Sequence, residues 1–318
     1  MAVASPQNAL GIKSLLGTES LVKSQIRLII DTAQEYRKLQ DSKLDKIQSS
    51  LLGSLKGKTV VLLFFEASTR TRSSFELAAK RLGAEVIVLT QQMSSVDKGE
   101  TLLDTARNIE AMQPDLLVLR HPSAGSPMYL DGALKIPIVN GGDGFHEHPT
   151  QALLDLMTIE EFKGSLEGLK VLIVGDIAHS RVARSDIYAL KAMGCSVSVC
   201  APPTLMPPKV EKMGVQAFTH LDEAVLGQDV VIALRVQFER MNQGQLPSRA
   251  EYSRFYGINA RVLKLCKEDV LIMHPGPVNR GVELATEVAD SERSVILNQV
   301  SNGVLIRMAV LHLLTKKE

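Results

Sequence analysis

Short runs of aliphatic and β-branched residues recur along the chain, separated by stretches with helical periodicity. The clearest runs are Thr59–Phe65, Glu85–Thr90, Asp115–Leu119, Lys170–Val174, Ser196–Cys200, Val230–Leu234 and Val270–Met273. Such near-continuous apolar runs suit strands covered on both faces, as in a parallel sheet, rather than the alternation of a half-exposed strand. Between them lie the amphipathic stretches Arg72–Leu82, Thr101–Met112, Pro149–Phe162 and Arg181–Met193. Strand–helix alternation of this kind predicts doubly wound parallel-sheet α/β layers.

A chain of 318 residues has room for two such units at roughly 150 residues each. The run GGDG at Gly141–Gly144 interrupts the alternation, and Pro149 suits the first position of a helix that follows. A first domain is therefore expected over residues 1–148 and a second over 149–290. The apolar-periodic tail, about 291–318, is expected to form one helix that returns to the first domain.

Charge and composition exclude several function classes. Lys plus Arg number 36 against 35 for Asp plus Glu, a net charge of +1, which is too balanced for bulk electrostatic binding of nucleic acid. Trp is absent and aromatics make up 4%, so a stacking platform for single strands is not expected. No stretch approaches the roughly 18 unbroken apolar residues of a membrane span. Residues 1–20 lack a charged segment followed by an apolar one, so no secretion signal is expected. Cys195, Cys200 and Cys266 form no C-x-x-C pair, which points to a cytoplasmic protein, and Cys195 and Cys200, in or beside the strand run VSVC, are expected in its core.

Any anion site must then come from a few placed side chains. The segment Phe64-Phe65-Glu66-Ala67-Ser68-Thr69-Arg70-Thr71-Arg72 follows a buried strand and opens a helix. Backbone N–H groups at a helix start bind anions, Ser68, Thr69 and Thr71 add hydroxyl donors, and Arg70 adds a planar fork that matches phosphate. Arg120, in Arg120-His121-Pro122, sits at the end of another expected strand, where ligands bind in open α/β sheets. His148 and Gln151 at the next helix start suit polarising a carbonyl and orienting an amide. His146 and His148 lack a third ligand, so no metal is expected.

In the second half, Gly175 follows the strand KVLIV, but a dinucleotide fingerprint would require G-x-G-x-x-G, and no nicotinamide cofactor is expected. Arg181 opens a helix there, and Arg235-Val236-Gln237 follows VVIAL. Two arginines at strand exits suggest a clamp for a dicarboxylate. His274-Pro275-Gly276-Pro277 follows VLIM, its prolines stiffening the turn.

In this order FFEASTRTR, SSVDKGET, RHP, HPTQ, GDIAHSR, RVQ and HPGP resemble the aspartate carbamoyltransferase family over almost the whole chain. The resemblance implies two α/β domains, trimers with active sites shared between neighbours, and transfer of the carbamoyl group of carbamoyl phosphate to L-aspartate in pyrimidine biosynthesis, with no metal or organic cofactor. It implies that Ser68, Thr69, Arg70 and Thr71 hold the phosphate. Thr71, Arg120 and His148 would meet the carbonyl oxygen, and Gln151 with the Pro275–Gly276 backbone and Pro277 the carbamoyl amine. Arg181, Arg235 and Gln237 would bind aspartate, while Ser94 and Lys98 would reach a neighbour's site. Gly276 departs from family members that carry leucine there and matches others that share HPGP; it leaves the mobility of that loop open. The alternatives are an ornithine carbamoyltransferase, which would show a cysteine in the H-x-x-P turn, or a catalytically silent binding subunit. The resemblance is compatible with a regulatory chain or a dihydroorotase docked on the trimer.

Overall fold

The computed structural model describes residues 8–41, 49–90, 100–236 and 248–316. The chain divides into two compact units, Met1–Leu153 with Ser301–Glu318, and Leu154–Val300.

The first unit carries four parallel strands, β1 (Thr59–Phe64), β2 (Glu85–Thr90), β3 (Leu116–His121) and β4 (Ile138–Asp143), in the order β2-β1-β3-β4. Val60 to Phe64 and Leu116 to Arg120 are buried, as the apolar runs require. The second unit carries β5 (Lys170–Val174), β6 (Ser196–Cys200), β7 (Gln216–Phe218), β8 (Val230–Ala233) and β9 (Leu271–Met273), also all parallel, in the order β7-β6-β5-β8-β9. Each order reverses direction once, between β1 and β3 and between β5 and β8. Connections leave those neighbours toward opposite sides, which opens a crevice beyond the strand carboxyl ends.

The expected break at Gly141–Gly144 is corrected: Ile138–Asp143 is a fully buried strand. Its glycines look like a turn in sequence, yet they serve close packing. A Cβ on Gly141 would lie 3.3 Å from the Leu119 carbonyl oxygen and 3.5 Å from Arg120 Cβ. β7, only three residues long, has no apolar run to announce it. The helix after β1 starts at Thr69, one turn before the expected Arg72, because Ser68 caps it. Helices at Lys23–Asp41, Ser126–Ala133 and Arg249–Tyr256 add to those expected.

The terminal helix begins at Ile296 and runs to Thr315, and from Ser301 onward it belongs to the first unit. Its Arg307 is 4% exposed, donates to Ser74 Oγ at 3.1 Å and to the Gly303 carbonyl at 2.8 Å, and stacks 5.0 Å from the Phe75 ring centroid. Tyr36 Oη meets His312 Nδ1 at 3.0 Å in the same unit. Cys195 and Cys200 are buried in the second unit, where burial pushes both thiols up to about 12, so they are inert.

Asp155 and Asp186 are both 1% exposed within the second unit. Burial first, then the neighbouring Asp155 charge, holds the Asp186 carboxyl well above the ordinary range. The folded state therefore binds this proton more tightly than the unfolded chain. The stabilisation is complete below the ordinary Asp pKa of about 3.9 and is lost as pH rises through the raised value. Asp186→Asn should therefore stabilise the protein at neutral pH and weaken the fall in stability with rising pH. Urea unfolding of both proteins at about pH 5 and pH 8 checks this; a variant no more stable than wild type at the higher pH would refute it.

Candidate active site

Beyond β1 the backbone turns through Phe65–Ala67, and Ser68 takes up an extended conformation (φ −157°, ψ 95°) as the cap of the helix Thr69–Arg81. Its Oγ accepts the Thr71 N–H at 3.4 Å. The first turn presents its remaining N–H groups outward at the positive end of the helix dipole. Thr69 and Arg70 are exposed and Thr71 is buried. A cavity of about 270 Å³ opens at this point, lined by Phe64, Phe65, Glu66, Ser68, Thr69 and Arg72 among others. Ser68 and Thr69 are thus placed as expected, and Arg72 joins them.

Arg120 faces the same strand end. It pairs in register with Phe64, and its carbonyl accepts the Phe65 N–H at 2.9 Å. The residue is 7% exposed. Nη1 donates to the Gly141 carbonyl at 3.0 Å and Nη2 to Glu66 Oε1 at 2.9 Å. Sequence alone assigns Glu66 no role, although a carboxylate among the hydroxyls and arginines of FFEASTRTR is a signal for such a pair. The next residue, His121, accepts the Ser123 N–H on Nδ1 at 3.0 Å, and burial lowers its pKa, favouring the neutral ring.

From β4 the chain enters a tight turn centred on Asp143, 1% exposed. Its carboxylate accepts from Gly125 N at 2.7 Å, Asn140 Nδ2 at 2.8 Å and Glu147 N at 3.1 Å, and meets His146 Nδ1 at 3.1 Å. Gly144 has φ +48°, and a Cβ there would sit 2.8 Å from the Pro122 carbonyl, so this turn requires glycine. Glu147 anchors the segment before the first helix, accepting from Thr18 N at 2.6 Å and Thr18 Oγ1 at 2.8 Å. The turn delivers His148, 5% exposed, to the start of the helix Pro149–Lys163, with Gln151, 8% exposed, in the first turn. The His148 carbonyl accepts the Gln151 N–H at 2.9 Å. His146 is engaged with Asp143, and among the described residues no group of three or more His, Cys, Asp or Glu side chains is placed to hold a metal ion.

In the second unit Gly175 ends β5 at φ +138°, where a Cβ would come within 2.9 Å of Leu234 Cβ. This close approach lets the β5 and β8 exits lie side by side. After β5, Asp176 meets His179 Nδ1 at 2.9 Å; burial pushes the Asp176 carboxyl up while His179 opposes the shift. Ser180 caps the helix Arg181–Ala192, its Oγ accepting from Ala183 N at 3.1 Å, and Arg181 is the first helical residue. Arg235 follows β8, and both arginines are half-buried. Beyond β9, His274 is buried and Gly276 adopts φ +68°, a conformation that favours glycine over leucine. Ser94, Lys98 and Gln237 lie outside the described residues.

Residues 13–161 match the family model for the carbamoyl-P binding domain of aspartate/ornithine carbamoyltransferase, and residues 167–314 match that for the Asp/Orn binding domain. The chain is 51% identical over 306 residues to the aspartate carbamoyltransferase catalytic subunit of Syntrophotalea carbinolica, covering 96% of each. It is 52% identical over 303 residues to that of Syntrophus aciditrophicus, covering 95% of this chain and 97% of the relative. Among solved structures, aspartate transcarbamoylase from Trypanosoma cruzi in complex with carbamoyl phosphate superposes with a TM-score of 0.85 at 33% identity, covering 96% and 97% of the two chains. Ornithine carbamoyltransferase from Pyrococcus furiosus gives 0.84 at 30%, covering 95% and 96%. Shape therefore does not separate the two amino-acid substrates.

Proposed function

The chain belongs to the aspartate/ornithine carbamoyltransferase family, and from this we infer that it transfers the carbamoyl group of carbamoyl phosphate to the amine of L-aspartate, giving N-carbamoyl-L-aspartate and phosphate. One observation carries the reading: arginines and hydroxyls stand at the exits of the two strands flanking the reversal in each sheet. Carbamoyl phosphate belongs to the first unit. Its phosphate takes the helix start at Ser68–Thr71 with Arg70, since that end supplies N–H donors and positive potential together. Its carbonyl oxygen takes Thr71, Arg120 and His148, and its amine takes Gln151 and the carbonyls of the turn through Gly276 and Pro277.

Attack by the neutral amine of aspartate makes a tetrahedral carbon with negative charge on oxygen and positive charge on nitrogen. The C–O bond to phosphate then breaks, and the departing phosphate oxygen takes the proton that the nitrogen loses. Both changes need fixed positive charge and donors more than a protein nucleophile. Arg120 supplies such a charge, held in place by the Gly141 carbonyl and by Glu66. His148, at a helix start, suits donation from a neutral ring. In the second unit Arg181 and Arg235, with Gln237, take the carboxylates of aspartate. These arginines would repel the cationic side chain of ornithine, and the turn at Gly276 holds no cysteine. The pathway is pyrimidine biosynthesis, and the three cysteines, none of them in a disulfide, favour the cytoplasm. No helix among the described residues is long and apolar enough to cross a membrane.

The test is phosphate release from carbamoyl phosphate with L-aspartate or L-ornithine. Turnover with aspartate alone is the expected result; turnover with ornithine, or none, would replace the reading. Arg235→Ala should raise the aspartate KM at least about tenfold, the cost of a lost charged hydrogen bond, while carbamoyl phosphate binding holds. Unchanged aspartate kinetics would remove Arg235 from the site.

We also propose a homotrimer in which Ser94 and Lys98 act in a neighbour's site. The segment around Lys98 is polar and poor in core residues, and its lysine would add positive charge around two anionic substrates where transition-state charge develops. Inactive Arg70→Ala and Lys98→Ala chains, unfolded, mixed equally and refolded together, should regain about a quarter of wild-type activity through native mixed sites. A mixture as inactive as its parents would show that Lys98 serves its own chain.

A further inference from the structure

Within the second unit, the turn after β9 hangs on a single buried carboxylate. Glu283 is 1% exposed, and its Oε1 lies 3.2 Å from His274 Nε2 and accepts the Asn279 N–H at 2.6 Å. On the other side of the same ring, His274 Nδ1 lies 2.8 Å from the Gly276 N–H. A backbone N–H can only donate, so Nδ1 is bare and the ring proton sits on Nε2, directed at Glu283. His274 is therefore a neutral relay whose tautomer the carboxylate sets. Its own N–H donates to Gln299 Oε1 at 3.0 Å, and Gln299 Nε2 donates to Asp155 Oδ1 at 2.6 Å, which closes off the backbone side. The second contact of Glu283 leads elsewhere: Asn279 Nδ2 donates to the Val236 carbonyl at 3.2 Å, the residue directly after Arg235.

We propose that Glu283 is a positioning residue that fixes two substrate-binding segments at once. It holds the Gly276–Pro277 turn through the tautomer of His274, and it holds the Arg235 strand exit through Asn279. The proposal rests on the assignment of that turn to carbamoyl phosphate and of Arg235 to aspartate. Neither Glu283 nor His274 touches substrate in this scheme. Without the carboxylate, the ring can place its proton on Nδ1, where it opposes the Gly276 N–H, and the turn loses its anchor.

The experiment compares steady-state kinetics of the full-length wild type, Glu283→Ala, Glu283→Gln and Asn279→Ala, with 15N NMR of the His274 ring. Glu283→Ala should raise both KM values and cut kcat/KM by about 100-fold, the scale of a misplacement of about 1 Å. Glu283→Gln keeps an oxygen that accepts from both partners and should restore most of that loss. Asn279→Ala should raise the aspartate KM while leaving that for carbamoyl phosphate alone, a split that a purely structural role would not produce. The ring of the wild type should show a bare Nδ1 and a protonated Nε2. Wild-type KM values in a folded Glu283→Ala, a Gln variant as impaired as the Ala one, or an unsplit Asn279→Ala would each overturn the proposal. If Glu283→Ala does not fold, the Gln and Asn279 variants decide. If the wild type fails to carbamoylate aspartate, the reaction assignment falls, and the His274 tautomer still judges Glu283. The Nε2 proton should persist in Glu283→Gln and shift to Nδ1 in Glu283→Ala, and an unchanged ring in Glu283→Ala would overturn the proposal.

Discussion

Arg120→Ala should lower kcat by about 100- to 1,000-fold, the typical loss when one donor to a developing oxyanion is removed. The effect is large because Arg120 is a fixed charge at 7% exposure, braced by the Gly141 carbonyl and by Glu66. Such a group needs little reorganisation when charge develops beside it. Removal also strands the Glu66 carboxylate, 12% exposed at its side chain, beside an anion site, where it repels the phosphate. Arg120→Lys should recover little, since an ammonium cannot span two acceptors in the planar geometry of the fork. Adding Glu66→Gln to Arg120→Ala should recover carbamoyl phosphate binding but not kcat, separating repulsion from catalysis. Rapid-quench or steady-state phosphate release measures both; an Arg120→Ala enzyme within tenfold of wild type would remove Arg120 from the reaction.

Phe75→Ala should destabilise the protein by about 3–5 kcal/mol, the usual cost of emptying an aromatic site in a core. Phe75 is fully buried on the inner face of the helix Thr69–Arg81, beside Ala78 and Ala79, and the guanidinium of Arg307 lies over its ring. Alanine leaves a cavity and exposes Arg307 to a void in place of a π face, losing a contact worth about 0.5–2 kcal/mol. Thermal unfolding should show the loss as a lower Tm. Because this helix carries the turn proposed to bind phosphate, carbamoyl phosphate should raise the Tm of the variant by binding the folded state alone. A Tm within 1–2 °C of wild type, where roughly 2–4 °C per kcal/mol is expected for a unit of this size, would contradict the packing argument.

The parts of this architecture that were legible in sequence are those encoded by neighbours in the chain. TVVLLF, KVLIV and SVSVC announce β1, β5 and β6 because each buried strand is written in consecutive residues. The capped helix start at Ser68–Thr71 was equally legible, since its hydroxyls and Arg70 occupy one short segment. β4 was not, because IVNGGD carries the marks of a turn while its glycines answer to Leu119 and Arg120 on another strand. Glu66 and Arg120 are 54 positions apart, and the bond between them exists only once β1 and β3 pair. Glu283 falls in the same class: nothing near it in the chain indicates that it fixes the proton of His274.

The first unit closes only with residues 301–316, so its polypeptide is interrupted by the whole of the second. During translation, Phe75 waits for Arg307 while more than two hundred residues are still to be added. Domains generally fold as units as they leave the ribosome, but here the second unit is whole before the first can be. A nascent chain stopped before residue 301 would leave the underside of the Thr69–Arg81 helix uncovered, exposing apolar surface that invites chaperones. The same discontinuity predicts that a fragment ending at Leu153 does not fold into a carbamoyl phosphate-binding module on its own. Supplying the terminal helix as a separate peptide, or joining it to residue 153 through a flexible linker, should be what makes that half of the molecule fold by itself.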